Sequence, residues 1–158
     1  MVCPYAVRTD LTLQKSVELG TLSPDDPLGR YITSESRARK AQNTGKIAYD
    51  VFQEKIERDS LSVDRLDLAS DREMAEIADR NAAVSGRPFF GWVVVSVHQA
   101  SQMGRQVEPT PCLDNRYHAD IHLNLPNGSE RRDVRTQHAL NLAKQAVYRL
   151  WRQLPARR

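Results

Sequence analysis

The string His118-Ala119-Asp120-Ile121-His122 carries the most chemical capacity in this chain. On a β-strand, alternate residues share a face, so two imidazoles and a carboxylate project together at steps of about 6.5 to 7 Å. These are borderline ligands suited to Zn, Mn or Fe. The two outer ligands stand roughly 13 Å apart on a flat strand, too far to share one ion through bonds of about 2 Å. A metal site therefore needs a bulge, or the adjacent pair His118 and Asp120 with a further ligand, and His98 is the residue expected to complete it. The same residues suit acid–base work, because histidine titrates near neutrality and Asp120 can fix a tautomer. With Arg116 nearby, that is the outline of a metal-independent ribonuclease. Against both stands the plainer expectation of a polar strand face, where His and Asp meet water.

The second feature is charge. Residues 131–158 carry eight Lys/Arg against one Asp, a net of +7, which leaves −4 on residues 1–130. Arg131, Arg132, Arg135, Lys144, Arg149 and Arg152 are the candidate partner-binding residues, with Arg157 and Arg158 in the tail. Arg149 and Arg152 fall where they complement a helix dipole, whereas Arg131 and Arg132 oppose it, so helix stability does not account for the latter pair. A basic element on a mildly acidic body suits a larger protein with an acidic surface, or a nucleic acid. Trp151 is either core or an interface anchor.

Other chemistries find no footing. The seven glycines form neither a phosphate-cradling loop nor a dinucleotide fingerprint. No serine motif is present, and Cys112 has no histidine at a spacing that predicts a thiolate. With only Cys3 and Cys112 there is no disulfide framework, so two reduced thiols in a cytoplasm are expected. The longest apolar run, Trp92–Val95, is far short of the ~20 residues of a membrane helix, and the first ten residues show no leader pattern.

The elements that must position these residues follow from periodicity. An apolar fraction of 40% and a charged fraction of 27% suit a folded domain, and 158 residues suit one domain. Residues 1–45 read as an irregular segment packed on a domain spanning 46–158. Within them Leu11, Leu13, Val17 and Leu19 suggest a short helix or strand. Ser23–Pro27 is a turn, and Ser34–Lys46 an exposed loop or helical turn. Leu61–Leu66 alternates as a strand. Ser70 and Glu73 have capping-box spacing ahead of a helix with Met74, Ile77, Ala78 and Ala82 on its stripe, ended by Gly86. Phe89–Val97 is apolar on both faces, as in a strand covered on both sides. His98–Met103 reads as a helical turn and Arg105–Glu108 as a brief strand. Tyr117–Leu125 alternates cleanly, with His118, Asp120, His122 and Asn124 on its outer face. Arg131–Gln153 reads as one long amphipathic helix buried along Val134, Ala139, Leu142, Ala143, Ala146, Val147 and Leu150. The fold expected is α+β: one antiparallel or mixed sheet of four to five strands, with two long helices on one face.

The pattern Gly45…Phe52…Leu61-Ser62-Val63…Gly91-Trp92…Val107…Pro111…His118-Ala119-Asp120-Ile121 resembles small bacterial proteins that share an F…LSV…HA-x-I signature and have no assigned activity. The resemblance spans about half of the chain. It implies a bacterial, cytoplasmic protein in which His118 belongs to the common core and His122 stands outside it.

The reading these features support first is a non-catalytic binding or accessory module without a cofactor, in a bacterial conflict or antitoxin-like system. It docks a larger protein through its basic C-terminal helix, with nucleic acid ranked below protein and no membrane contact. The alternative is a hydrolase or nuclease holding a divalent Zn or Mn on His118, Asp120, His122 and His98.

Overall fold

The first described element follows directly on the proline-rich turn. In the computed structural model, which describes residues 19–54 and 57–154, Asp26 closes that turn by accepting from the Ser23 N–H at 2.8 Å. Strand β1 (Pro27–Ile32) starts at once. Helix α1 (Glu35–Thr44) follows, supported by an Arg39–Glu35 pair one turn apart and closed by Gly45 in the left-handed region at φ 67°. The expectation of an irregular segment is thereby corrected for residues 27–44, and of the two readings for Ser34–Lys46, a loop or a helical turn, the helical one holds, extended to ten residues. Neither element shows a clear apolar period: β1 separates Leu28 from Ile32 with Gly29, Arg30 and Tyr31, and α1 buries only Ala38 and Ala41. The element suggested around Leu11, Leu13 and Val17 lies outside the described residues.

After a 3-10 turn at Tyr49–Phe52 come β2 (Ser60–Arg65), α2 (Asp71–Val84), β3 (Gly91–Ser96), α3 (Val97–Ala100), β4 (Gln106–Pro109), β5 (His118–His122), α4 (Arg131–Gln145) and β6 (Val147–Leu150). The strands form one open antiparallel sheet in the order β4-β5-β2-β1-β3-β6. The class is α+β as expected, with six strands in place of four to five.

The helices divide between the two faces. Along β3, Trp92 and Val94 pack with Met74, Ile77, Ala78 and Ala82 of α2. Val93 and Val95 point the other way, into a core shared with Leu28, Leu61, Ile121 and with Ala139 and Leu142 of α4. The two long helices thus lie on opposite faces, which corrects the single-face arrangement. A strand apolar on both sides needs cover on both, and one helix goes to each. Ser70 caps α2 through the Glu73 N–H at 3.2 Å. The other half of the box does not form there, because Glu73 instead accepts from the Tyr117 hydroxyl at 2.9 Å.

The last helix is also shorter than expected. Ala146 leaves helical geometry at φ −75°, ψ 148°, and Val147–Leu150 continues as β6 against β3. The apolar spacing through Ala146 and Leu150 runs on past the helix by coincidence, while Val-Tyr-Arg-Leu-Trp is β-branched and aromatic enough for a strand. Val147 and Leu150, expected on the buried stripe, are 62% and 39% exposed. Gly91 permits this pairing, since a Cβ there would sit 2.4 Å from the Arg149 carbonyl oxygen.

A buried polar clamp ties α4 to the turn after β3. Arg105, 2% exposed, donates to the carbonyls of Ala100 and Gln99, to Asn141 Oδ1 at 2.6 Å and to His138 Nδ1 at 3.0 Å. Burial brings the Arg105 guanidinium down to about 10. Burial first, and then Arg105, hold His138 below its ordinary value of 6.5.

Two outcomes follow. Gly91→Ala should destabilise the fold by about 1–3 kcal/mol, measured by urea unfolding, because backbone rather than a flexible tip blocks the added methyl. A histidine with a depressed folded pKa contributes its stability above 6.5 and loses it as pH falls through the folded value. The melting temperature should therefore drop on acidification below about pH 6.5, and His138→Gln should flatten that part of the profile.

Candidate functional site

Strand pairing sets the polar face of β5 against β2, with His118 opposite Asp64, Asp120 opposite Ser62 and His122 opposite Ser60. This face lies on the α2 side of the sheet, and Asp64 is its deepest member at 0% exposure. Asn115 Nδ2 donates to Asp64 Oδ1 at 2.7 Å, and the Tyr31 hydroxyl donates to Oδ2. Asn81 Nδ2 in turn donates to the Tyr31 oxygen at 3.4 Å. Burial pushes the Asp64 carboxyl up, opposed by the Tyr31 and Asn115 hydrogen bonds and by nearby His118. Burial and then Asp64 hold the Tyr31 hydroxyl well above its ordinary 10. Asp64 is the hub of this network, with both of its carboxyl oxygens accepting from other members.

The histidine face is held by bonds to Thr110 and Glu108. His118 Nδ1–H donates to the Thr110 carbonyl at 2.9 Å, which fixes the tautomer and leaves Nε2 buried without a hydrogen-bond partner. Asp120 Oδ2 accepts from the Thr110 hydroxyl at 2.8 Å. His122 Nε2 meets Glu108 Oε2 at 2.9 Å on the neighbouring strand. His118 is 3% exposed, so the water-facing strand face expected at that position is corrected there: Thr110, in the loop after β4, holds its ring. His98 is exposed in α3 at the end of β3, and β1 and β2 separate β3 from β5. It does not join the cluster. Among the described residues no group of three His, Cys, Asp or Glu side chains is placed to hold a metal ion.

A cleft lies elsewhere, in a split within the sheet. The ladder between β1 and β2 has only two rungs, Leu28–Arg65 and Gly29–Asp64. In register the next would join Arg30 to Val63 and Tyr31 to Ser62, but there the strands part. Arg30 fills the fork: its guanidinium donates to the Val51 and Ser62 carbonyls and to Glu54, the last at 2.7 Å. Around it opens a cleft of about 210 Å³. Arg30, Arg37, Arg87, Asp50, Glu54 and Asp64 supply its charge, and Tyr31, Ser62 and Asn81 add further polar groups.

The six candidate docking residues do not share one surface. Arg131, Arg132, Arg135 and Lys144 lie on α4, whereas Arg149 is in β6 and Arg152 follows it. Arg131 pairs with Asp59, Arg149 with Asp67 at 3.0 Å, and Arg152 with Asp79 of α2 at 2.7 Å. The basic helix is therefore corrected to a helix followed by a strand, with half of its candidates engaged in ion pairs within the chain. Arg157 and Arg158 lie outside the described residues.

Cys112 is disulfide-bonded, which corrects the expectation of two reduced thiols; the expectation for Cys3 lies outside the described residues. Disulfides persist in oxidising compartments, so this bond lends no support to a cytoplasmic location. Among the described residues, no helix is long and apolar enough to cross a membrane. No protein-family model, curated protein or solved structure matches the chain.

Arg30, Tyr31 and Asn115 escaped the sequence reading because they lie in segments read as irregular, and Asp64 because alternation placed it on an outer face. The one signal was a Gly-Arg-Tyr triplet between Leu28 and Ile32, where a strand core would put aliphatic residues. Tyr31→Phe should cost about 1–3 kcal/mol in urea unfolding, since it leaves the buried Asp64 with one donor fewer. An unchanged midpoint would mean that the tyrosine bond contributes nothing to the fold.

Proposed function

We propose that the protein is a non-catalytic binding module that docks a larger protein through its C-terminal segment, residues 131–152. One observation carries this reading. β6 is an edge strand, and among the described residues no strand pairs with its outer side. It exposes Val147 and Leu150, and Trp151 follows at 38% exposure. An unpaired edge with large apolar side chains is a template for an added strand. The opposite edge differs: β4 carries Pro109 and the Glu108–His122 pair, both of which discourage pairing.

Charge supports the same segment. On the outer side of α4, Arg132 and Lys144 flank Leu140, which is 44% exposed. Asp133 is the acidic residue among them. Among the described residues no ion pair engages Arg132, Arg135 or Lys144. The occupant that fits is an extended, carboxylate-bearing segment of a partner protein, its backbone on β6 and its acidic groups toward α4. Binding is favoured over metal-dependent hydrolysis because His118, Asp120 and His122 spend their hydrogen bonds on Thr110 and Glu108 instead of converging.

The test is photo-crosslinking from positions 137 and 147 in a lysate of the source cells, followed by affinity measurement on the recovered protein. Val147→Lys with Leu150→Lys should weaken capture about tenfold or more, since both side chains lie at the edge and neither supports the core. Arg132→Glu with Lys144→Glu should slow association and reduce its salt dependence. Crosslinks to nucleic acid alone, or full affinity in the edge variant, would refute the docking reading.

A further inference from the structure

We infer that the cleft between β1 and β2 binds a small zwitterion of amino-acid size, which inserts between the Arg37–Asp50 and Arg30–Glu54 pairs with its carboxylate on the guanidinium side and its ammonium on the carboxylate side. The site is independent of the docking edge, which lies beyond β3 at the far side of the sheet.

Size sets the first limit. At about 210 Å³ the cleft is smaller than the ~300–1,000 Å³ of pockets for drug-sized ligands. Its lining sets the second. Such pockets are usually apolar with few polar groups, whereas this one presents three guanidinium groups and three carboxyl groups within one small opening. A purely apolar ligand would strip water from those that face solvent, Arg37, Asp50 and Arg87 among them, without return.

The bonding left over selects the ligand's charges. A guanidinium has five N–H donors. Arg30 gives one each to Val51, Ser62 and Glu54, which leaves two. Arg37 gives one to Asp50 Oδ2 at 2.6 Å. Arg87 is exposed at the rim, and among the described residues no ion pair engages it. These donors match a carboxylate, which guanidinium groups bind in two-pronged fashion. On the acceptor side, Asp50 Oδ1 is enclosed and has no hydrogen-bond partner among the described residues. An ammonium group supplies the missing donor. A simple anion would leave Asp50 Oδ1 unmet and would face three carboxyl groups, and a simple cation would face three arginines. A molecule with both charges meets each requirement.

The parted strands add direction. Because the rung from Tyr31 to Ser62 is missing, ladder groups on both strands border the cleft, as do the Tyr31 ring and Asn81. Backbone amides fixed by the β3 and β5 pairings on either side cannot turn away from the ligand.

The experiment is titration calorimetry of the full chain with each proteinogenic amino acid, with acetate and methylammonium as half-ligands. Amide chemical shifts then locate the site. Saturable binding of at least one amino acid is expected, with shifts at Tyr31, Asp50 and Ser62. Arg87→Ser and Asp50→Asn should each weaken it about tenfold. Arg87 is exposed, so its variant keeps the test decisive if Asp50→Asn lowers stability. Three results would overturn the assignment: no saturable binding up to about 10 mM, acetate binding as tightly as the best amino acid, or binding that survives both substitutions.

Discussion

The end of the β1–β2 ladder after Gly29 and Asp64 is the constraint around which this structure is arranged. A central strand pair that stops after two rungs leaves backbone groups without partners inside the sheet, and such groups are costly unless something replaces the lost bonds. Arg30 is that replacement. Its guanidinium takes the Ser62 carbonyl in place of a ladder amide and carries the bond on to Val51 and Glu54. The 3-10 turn is thereby tied to the fork, and α4 packs against that same turn. Gly29 has its own part at the last rung, where a Cβ would lie 2.7 Å from both Leu66 and Trp92. The close seat of Trp92 over β1, and so the α2 face of the core, depends on that missing side chain.

Buried polar networks stand on both sides of the sheet and outweigh the surface ion pairs. Asp64 with Tyr31, Asn115 and Asn81 organises the α2 side. Arg105 with His138 and Asn141 organises the α4 side. Exposed pairs such as Arg72–Glu76 are worth about 0–1 kcal/mol. Breaking one bond to a buried, otherwise satisfied group costs about 1–3 kcal/mol, more where a charge is left behind. The two networks also respond to pH with opposite signs. Asp64, raised by burial, favours the fold most below the ordinary carboxyl value and less as pH climbs through its folded value. His138, lowered by burial and Arg105, does the reverse. Across the mildly acidic range the two contributions therefore offset one another, although the groups never touch.

What the sequence made legible was whatever repeats. β2, β3, β5 and α2 announce themselves by alternation or by a helical stripe, and the Ser70 cap and Gly86 stop bound α2 correctly. What stayed hidden is single-residue and non-local. β1 is a strand because β3 pairs along all six of its residues, and nothing within Pro27–Ile32 states that. The α4–β6 boundary was missed because Ala146 and Leu150 continue a helical spacing across a strand, and the backbone turns at Ala146 to meet an edge supplied from 50 residues earlier. At the site the histidine string was visible, yet its partners Thr110 and Glu108 come from another strand and loop. The cleft was invisible for the same reason, since it is a gap between strands and no residue alone encodes a gap.

The correction at the C-terminus changes what the positive charge means. On one continuous helix, Arg131 through Arg152 would form a ridge suited to phosphates or an acidic groove. Broken at Ala146, the segment sends Arg149 and Arg152 toward the α2 side of the sheet, where Asp67 and Asp79 neutralise them. Those two pairs tether β6 to the end of β2 and to α2, holding in place a strand that, among the described residues, has a neighbour on one side only. The charge is then in part a fastening for an edge, and the edge is what meets the outside. Its four-residue length and Arg149 blunt this edge in part, yet no proline interrupts it and its apolar side chains stay exposed. That contrast with β4 makes the exposed Val147, Leu150 and Trp151 the feature most in need of a function.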